Sequence, residues 1–241
     1  MNSPADRISQ HLDQVAHLRA LAHDATTAHA VREIKVLQAR RFEATYGDLL
    51  HDPRHRPATR FFLDELYGDH DFAQRDAQFG RIAGAIERLF PEAVAQLAVD
   101  MAELHAVTEQ LDATLGAHWK DLAHLSPAPR YVAAWRQTGT RTQRAQQLRV
   151  VLQMGSELQR LTRQKSLRLA LRMMRGPAGA AGLGALHAFL ERGFEAFNLM
   201  GDAQPFLATV EQRESRWMDV FFDDPKAAQA LAPLVGDTRI S

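Results

Sequence analysis

The chain has 241 residues, 29 basic and 29 acidic side chains, 46% apolar residues and no cysteine. That apolar fraction, beside 24% charged residues, excludes a disordered tract. The missing thiol excludes disulfide scaffolds, thiolate metal sites and cysteine nucleophiles. By surface scaling a chain of this size buries about 70% of its unfolded surface, enough for one large core or two small ones.

In chain order, Ser3-Pro4-Ala5-Asp6 supplies a capping serine, a proline at the first helical position and an early acid. Ile8, Leu12, Val15 and Ala22, with Leu18 and Leu21, then recur at helical spacing. A second helix is expected from about Ala25 to Tyr46, turning Val31, Ile34 and Phe42 inward, with Gly47 as its stop. His51 to Pro57 reads as a turn, because proline biases the residue before it away from helix. Residues 61–68 read as a short apolar helix closed by Gly68. Asp71 and Gln74 form an expected capping box, opening a helix that carries Phe72, Phe79, Ile82, Ile86 and Leu89.

Pro91 opens the longest helix, expected over Pro91–Leu125. There Leu97, Met101, Leu104, Thr108, Leu111, Leu115, His118 and Leu122 step alternately by four and three residues, a heptad stripe. Ser126-Pro127-Ala128-Pro129 breaks the chain sharply. A helical region follows to Arg175, interrupted near Gly139-Thr140 and ended by Gly176-Pro177. Next come Leu183 to Met200 with Phe189, Gly193 and Phe197 inward, a helix from Asp202–Pro205 carrying Val210, Trp217 and Phe221, and a short last helix after Asp224-Pro225. No run alternates with period two. The expected fold is all-α: one domain over 1–241, with 126–129 as the place for any subdivision, built as a bundle of roughly eight to ten helices around the long one.

Charge is balanced in sum and polarised along the chain. Residues 61–125 carry 4 basic and 12 acidic side chains, whereas residues 126–192 carry 12 basic and 2 acidic. The two stretches are therefore expected to fold back on each other as an antiparallel hairpin. Exposed ion pairs add roughly 0–1 kcal/mol each, so the apolar heptads would hold it.

Phe61-Phe62-Leu63-Asp64-Glu65-Leu66-Tyr67-Gly68 sits among Arg41-Phe42, Tyr46-Gly47-Asp48-Leu49-Leu50, Pro53-Arg54 and Arg75-Asp76-Ala77-Gln78-Phe79. This block, about a sixth of the chain, resembles a bacterial family of uncharacterised proteins named for an FFLEELY motif, with Asp64 where that name has glutamate. The resemblance implies a bacterial, cytoplasmic, helical protein and carries over no catalytic residue.

Three groups of residues are candidates for chemistry. Around the motif, Phe61, Asp64, Glu65, Tyr67, Arg75 and Asp76 could form an apolar pocket with polar groups at its mouth, or simply a core anchor, with Arg75 paired to Asp71. In the basic segment, Lys165, Arg168, Arg172 and Arg175 share one helix face at i, i+3, i+7 and i+10. Such a stripe suits phosphates, acidic lipids or an acidic protein surface. It also suits internal docking, because Leu167, Leu171 and Met174 read as core contacts and Arg outnumbers Lys 25 to 4 throughout. No aromatic side chain interleaves it to stack bases.

Histidines are the third group. His11, His17, His23 and His29 recur every six residues, which on a helix rotates successive rings by about 240° and separates them. His118, Asp121 and His124 are spaced as half of a bundle metal centre, yet His118 continues the apolar stripe and no Glu-x-x-His occurs. His187 and Glu191 are at acid–base spacing, as many surface pairs are. Glycines at 176, 179, 182 and 184 lack the Lys-Ser/Thr of a phosphate loop.

These features point to a non-catalytic cytoplasmic interaction or regulatory protein, using the 61–76 region or the basic stripe 160–175 as contact surface. A small-molecule binder or enzyme with an apolar pocket near Phe61–Asp76 is the alternative, and nucleic-acid binding through the stripe a third reading. The expected partners are a protein or a second copy, or a small apolar ligand. No cofactor or metal is expected, and no stretch suits a membrane span: the longest uncharged one, Gly176 to Leu190, is 15 residues of mostly Gly and Ala.

Overall fold

A computed structural model describes residues 2–21, 25–66 and 72–236, and no strand occurs among them. The described helices are α1 (Pro4–Leu21), α2 (Ala25–Thr45), α3 (Gly47–His51), α4 (Arg56–Leu66), α5 (Ala73–Leu89), α6 (Glu92–Asp121) and α7 (Pro127–Gln137). They continue as α8 (Arg141–Thr162), α9 (Lys165–Met173), α10 (Arg175–Ala180), α11 (Gly184–Met200), α12 (Gln204–Asp223) and α13 (Ala227–Val235). The all-α expectation holds, but thirteen helices among the described residues replace the eight to ten expected.

The excess has local causes. Gly47 opens α3 rather than ending helical structure, with Leu50 N–H donating to Tyr46 O at 2.9 Å. Asp52 gathers the amides of Arg54 and Arg56, and Pro57 then fits the first turn of α4, where no amide is needed. The region expected as one helix to Arg175 breaks again at Arg163-Gln164 and at Met174. Gly176-Pro177 lies inside α10 instead of ending the run. Asp71, the expected cap of α5, lies outside the described residues, and Phe72 is the residue before that helix.

Two termini follow the sequence reading closely. Ser3 and Asp6 cap α1 reciprocally, each side chain taking the other's amide at 3.2 Å. Thr140 and Gln143 form a full capping box on α8, at the interruption expected there.

Three apolar clusters fill the interior. One joins α2, α6, α7, α12 and α13 around Trp119, Trp135, Phe221 and Leu231. Because Trp119 precedes the 126–129 break and Tyr131 and Trp135 follow it, this cluster crosses that break. The second gathers Phe42, Tyr46, Phe62, Phe197 and Phe206, and the third Ile8, Phe79, Val99 and Leu186.

α6 is the central helix, but its principal neighbours are α1 and α2 rather than the basic α8, which packs on it less extensively. Beside the expected heptad stripe, a row of small residues (Ala95, Ala98, Ala102, Ala106 and Gly116) is buried. At Gly116 an added Cβ would lie 2.9 Å from Val31, so the backbones of α2 and α6 approach closely. Leu89, expected on the core face of α5, is 78% exposed beyond the last buried turn.

Candidate functional site

The motif helix α4 turns Phe62 and Leu63 inward. The Phe62 ring sits 6.2 Å from Phe197 and 5.7 Å from Phe206. Phe61 leans the other way, 5.4 Å from Phe189 and against Gly193 of α11, where a Cβ would stand 2.8 Å from its ring. Asp64 is exposed, one helical step of about 100° from the buried Glu65. Tyr67 lies outside the described residues.

Glu65 is the first link of an ionic chain whose carboxylates are buried. It accepts from Arg75 at 3.0 Å and from Arg192 of α11. Arg75 in turn reaches Asp76 at 3.6 Å, and its guanidinium lies 4.1 Å above the Phe72 ring and 4.8 Å from that of Phe189. The other Asp76 oxygen takes Arg19 of α1 at 2.9 Å and His105 of α6 at 2.8 Å. Five helices meet along this chain. The sequence reading grouped Glu65, Arg75 and Asp76 correctly but missed Arg19, His105 and Arg192. Asp71, the partner expected for Arg75, lies outside the described residues, among which Glu65 and Asp76 are the carboxylate partners of Arg75.

Burial alone would raise the Asp76 carboxyl, yet the His105 hydrogen bond and the charges of His105, Arg75 and Arg19 hold it below its ordinary value. Burial lowers the Arg75 guanidinium, against the pull of Asp76 and Glu65. Both carboxylates are already engaged by cations. Such a chain locks helices together and is poorly suited to proton transfer, which needs a group poised near the working pH. Beside it, α1 and α5 enclose an open groove of about 520 Å³, lined by Leu12, Ala16, Arg19, Ala73, Asp76 and Gly80 among others. Phe61 and Phe62 do not line it.

A second ionic site joins other parts of the motif region to α12. Arg41 holds Glu214 through two bonds of 3.0 Å, and the buried Tyr46 donates to the same carboxylate at 2.9 Å. Arg213 grips Asp48 at 2.6 Å through both nitrogens. These residues bolt α2 and α3 to α12.

The basic stripe is turned differently from its sequence reading. Arg168, Leu171 and Arg172 face Glu191, Phe194 and Glu195 of α11 across a small cleft. Arg175 bonds Glu191 at 2.5 and 3.2 Å. His187, buried, bonds the Leu171 carbonyl at 2.8 Å, and no hydrogen bond joins it to Glu191 among the described residues. The opposite rim of α9 carries Leu169 and Met173, 60% and 70% exposed, followed by Met174 at 50%. Met174, expected as a core contact, is thus a surface residue, and α9 has no buried residue at all. The basic α7 and α8 do fold back on α6, but with little ionic pairing between the acidic and basic stretches. Arg192–Glu65 is the single side-chain ion pair between residues 61–125 and 126–192 among the described residues, while Arg141 goes to Asp219 and Asp223.

His118 is half-buried, whereas Asp121 and His124 are exposed, and His124 lies beyond the end of α6. Among the described residues no three His, Asp or Glu side chains converge as a metal site. No described helix is long and apolar enough to cross a membrane.

No curated protein and no solved structure is significantly similar to the chain. One family pattern does match, over residues 17–228. With nearly the whole chain covered, the protein belongs to the family described as a domain of unknown function, DUF8198.

Proposed function

We propose that this is a non-catalytic, cytoplasmic interaction or regulatory protein whose contact face is the outer rim of α9, within the 160–175 stretch. The observation that carries the reading is the division of that helix: Arg168 and Leu171 turn toward the acidic α11, Arg172 stands exposed at the edge of the same cleft, and Leu169 and Met173 face water. Exposed apolar side chains grouped beside charge are the usual mark of a contact surface. In this reading the 61–76 block is the frame that holds the bundle, with Asp64 the one exposed candidate among its described residues. The FFLEELY resemblance of that block supports a bacterial source.

The test is the native size of the protein in whole extracts of its own cells, with their membranes retained. Wild type should run well above its 27.0 kDa monomer mass, and the Leu169→Glu/Met173→Glu variant should fall to the monomer position. Monomer-sized migration of both would sink the reading. A second reading, small-molecule binding near the motif, rests on the groove between α1 and α5. Native mass spectrometry of freshly purified protein checks it, since a retained ligand adds a small, removable mass increment.

A further inference from the structure

We infer that the partner of the α9 rim is an anionic lipid surface, on which α9 lies in the plane of the headgroups. The inference rests on the reading of α9 as the contact face. Between Leu158 and Leu190 the chain carries six cations and no acid. Two of them are taken inside the molecule, Arg160 by Glu157 and Arg175 by Glu191. Arg163, Lys165, Arg168 and Arg172 form no ion pair within 4.0 Å among the described residues. Arg172 feels the charge of Glu191 and Arg163 that of Asp202, but no described carboxylate contacts any of the four directly, so positive charge still accompanies the apolar rim.

The placement of these groups matches an interfacial helix. At about 100° per residue, Leu169 and Met173 centre the rim, and Lys165 and Arg172 follow within about 60–80° on one flank. Long cationic side chains at that angle reach headgroup phosphates while the apolar side chains enter the acyl boundary. The rim is a ridge, because Leu169 and Met173 at 60% and 70% exposure have no wall beside them among the described residues. A ridge suits a fluid surface, whereas an incoming helix needs a groove with pockets for its anchors. Three apolar side chains alone give weak attachment, so the cations decide the affinity and the charge of the surface decides the target.

The experiment is flotation of the full-length protein with vesicles of equal parts phosphatidylcholine and phosphatidylglycerol, against pure phosphatidylcholine. The protein should float with the anionic vesicles only. Leu169→Asp/Met173→Asp should abolish flotation. Arg163→Gln/Lys165→Gln/Arg172→Gln should weaken it roughly a hundredfold, at roughly fivefold per cation. All five side chains lie outside the core, so thermal unfolding should not move. Because the chain lacks cysteine, Met173→Cys accepts one environment-sensitive fluorophore, which should brighten and shift to the blue on anionic vesicles. A label at the exposed Glu211→Cys should stay unchanged. Absence of flotation, flotation of the Asp variant, or a silent label at 173 on floating protein each overturns the inference. Loss of the native assembly by the Leu169/Met173 variant, with no vesicle binding by wild type, overturns it too, while leaving the α9 contact face intact with a protein as partner.

Discussion

Glu65 of α4 and Arg75 of α5 meet at 3.0 Å, the carboxylate buried and the guanidinium mostly withdrawn from water. Desolvating two charges costs several kcal/mol each, repaid only when every remaining lone pair and N–H finds a partner. Here Arg192 takes the second Glu65 oxygen, and Asp76 and two aromatic rings surround the Arg75 guanidinium. The pair is thus one section of a longer chain, and breaking it strands its neighbours.

Arg75→Met should therefore destabilise the protein by about 3–5 kcal/mol in chemical denaturation, the range for removing one partner of a buried pair. A loss under about 1 kcal/mol would mean that the chain is solvated and contributes little, as at exposed pairs.

Gly193 gives a steric prediction. The Cβ of Gly193→Ala would lie 2.8 Å from the Phe61 ring, so overpacking should cost about 1–3 kcal/mol. Phe61→Leu in the same chain should recover part of that loss. Additive losses in the double variant would contradict direct contact between the two sites.

Asp112 is buried in α6, and its carboxyl is raised chiefly by that burial, with Lys35 and the hydrogen bond from Gln38 pulling the other way. A raised folded-state pKa means that the ionised form weighs against folding above that pKa. Below the unfolded value near about 3.9 both states are protonated and the effect vanishes. Asp112→Asn should accordingly raise the denaturation midpoint at pH 7, and the gain should shrink as pH falls toward 3.5. A variant less stable than wild type at pH 7 would contradict this.

Asp48 carries the opposite sign. The Arg213 hydrogen bond, joined by the Leu49 amide and the charge of Arg213, outweighs burial and lowers its carboxyl to about 2. Its contribution to stability is present above the ordinary carboxylate value and is lost as pH falls toward about 2. A carboxyl-detected NMR titration should find Asp48 near that value, and Arg213→Gln should return it toward the ordinary range. An unchanged Asp48 in that variant would assign the shift to backbone amides instead.

Much of the architecture was legible from local chemistry. Ser3 with Asp6, and the break before Arg141, are short-range signals, and helical position alone turned Phe42 and Phe197 inward, where both share one cluster. The small-residue row on α6 was hidden because alanine lies weakly on every hydropathy pattern, so the heptad of larger side chains drew the eye. The ionic chain was half legible. Glu65, Arg75 and Asp76 lie close in sequence, but Arg19, His105 and Arg192 arrive from three other helices and no spacing rule connects them. The orientation of α9 could not be read from its periodicity. Its arginines and its leucines both form stripes, and which stripe faces inward is set by Glu191 and Glu195 on a helix that comes later.

The central claim is that the outer rim of α9 is covered when the protein is at work. Methionine oxidation by a brief pulse of peroxide reads this directly, because Met173 and Met174 are 70% and 50% exposed while Met200 is 1% exposed. In purified protein, Met173 and Met174 should oxidise far faster than Met200. In intact cells, after quenching and digestion, both should be protected several-fold, with Met200 unchanged as the internal reference. Equal oxidation of Met173 in cells and in isolation would contradict the account.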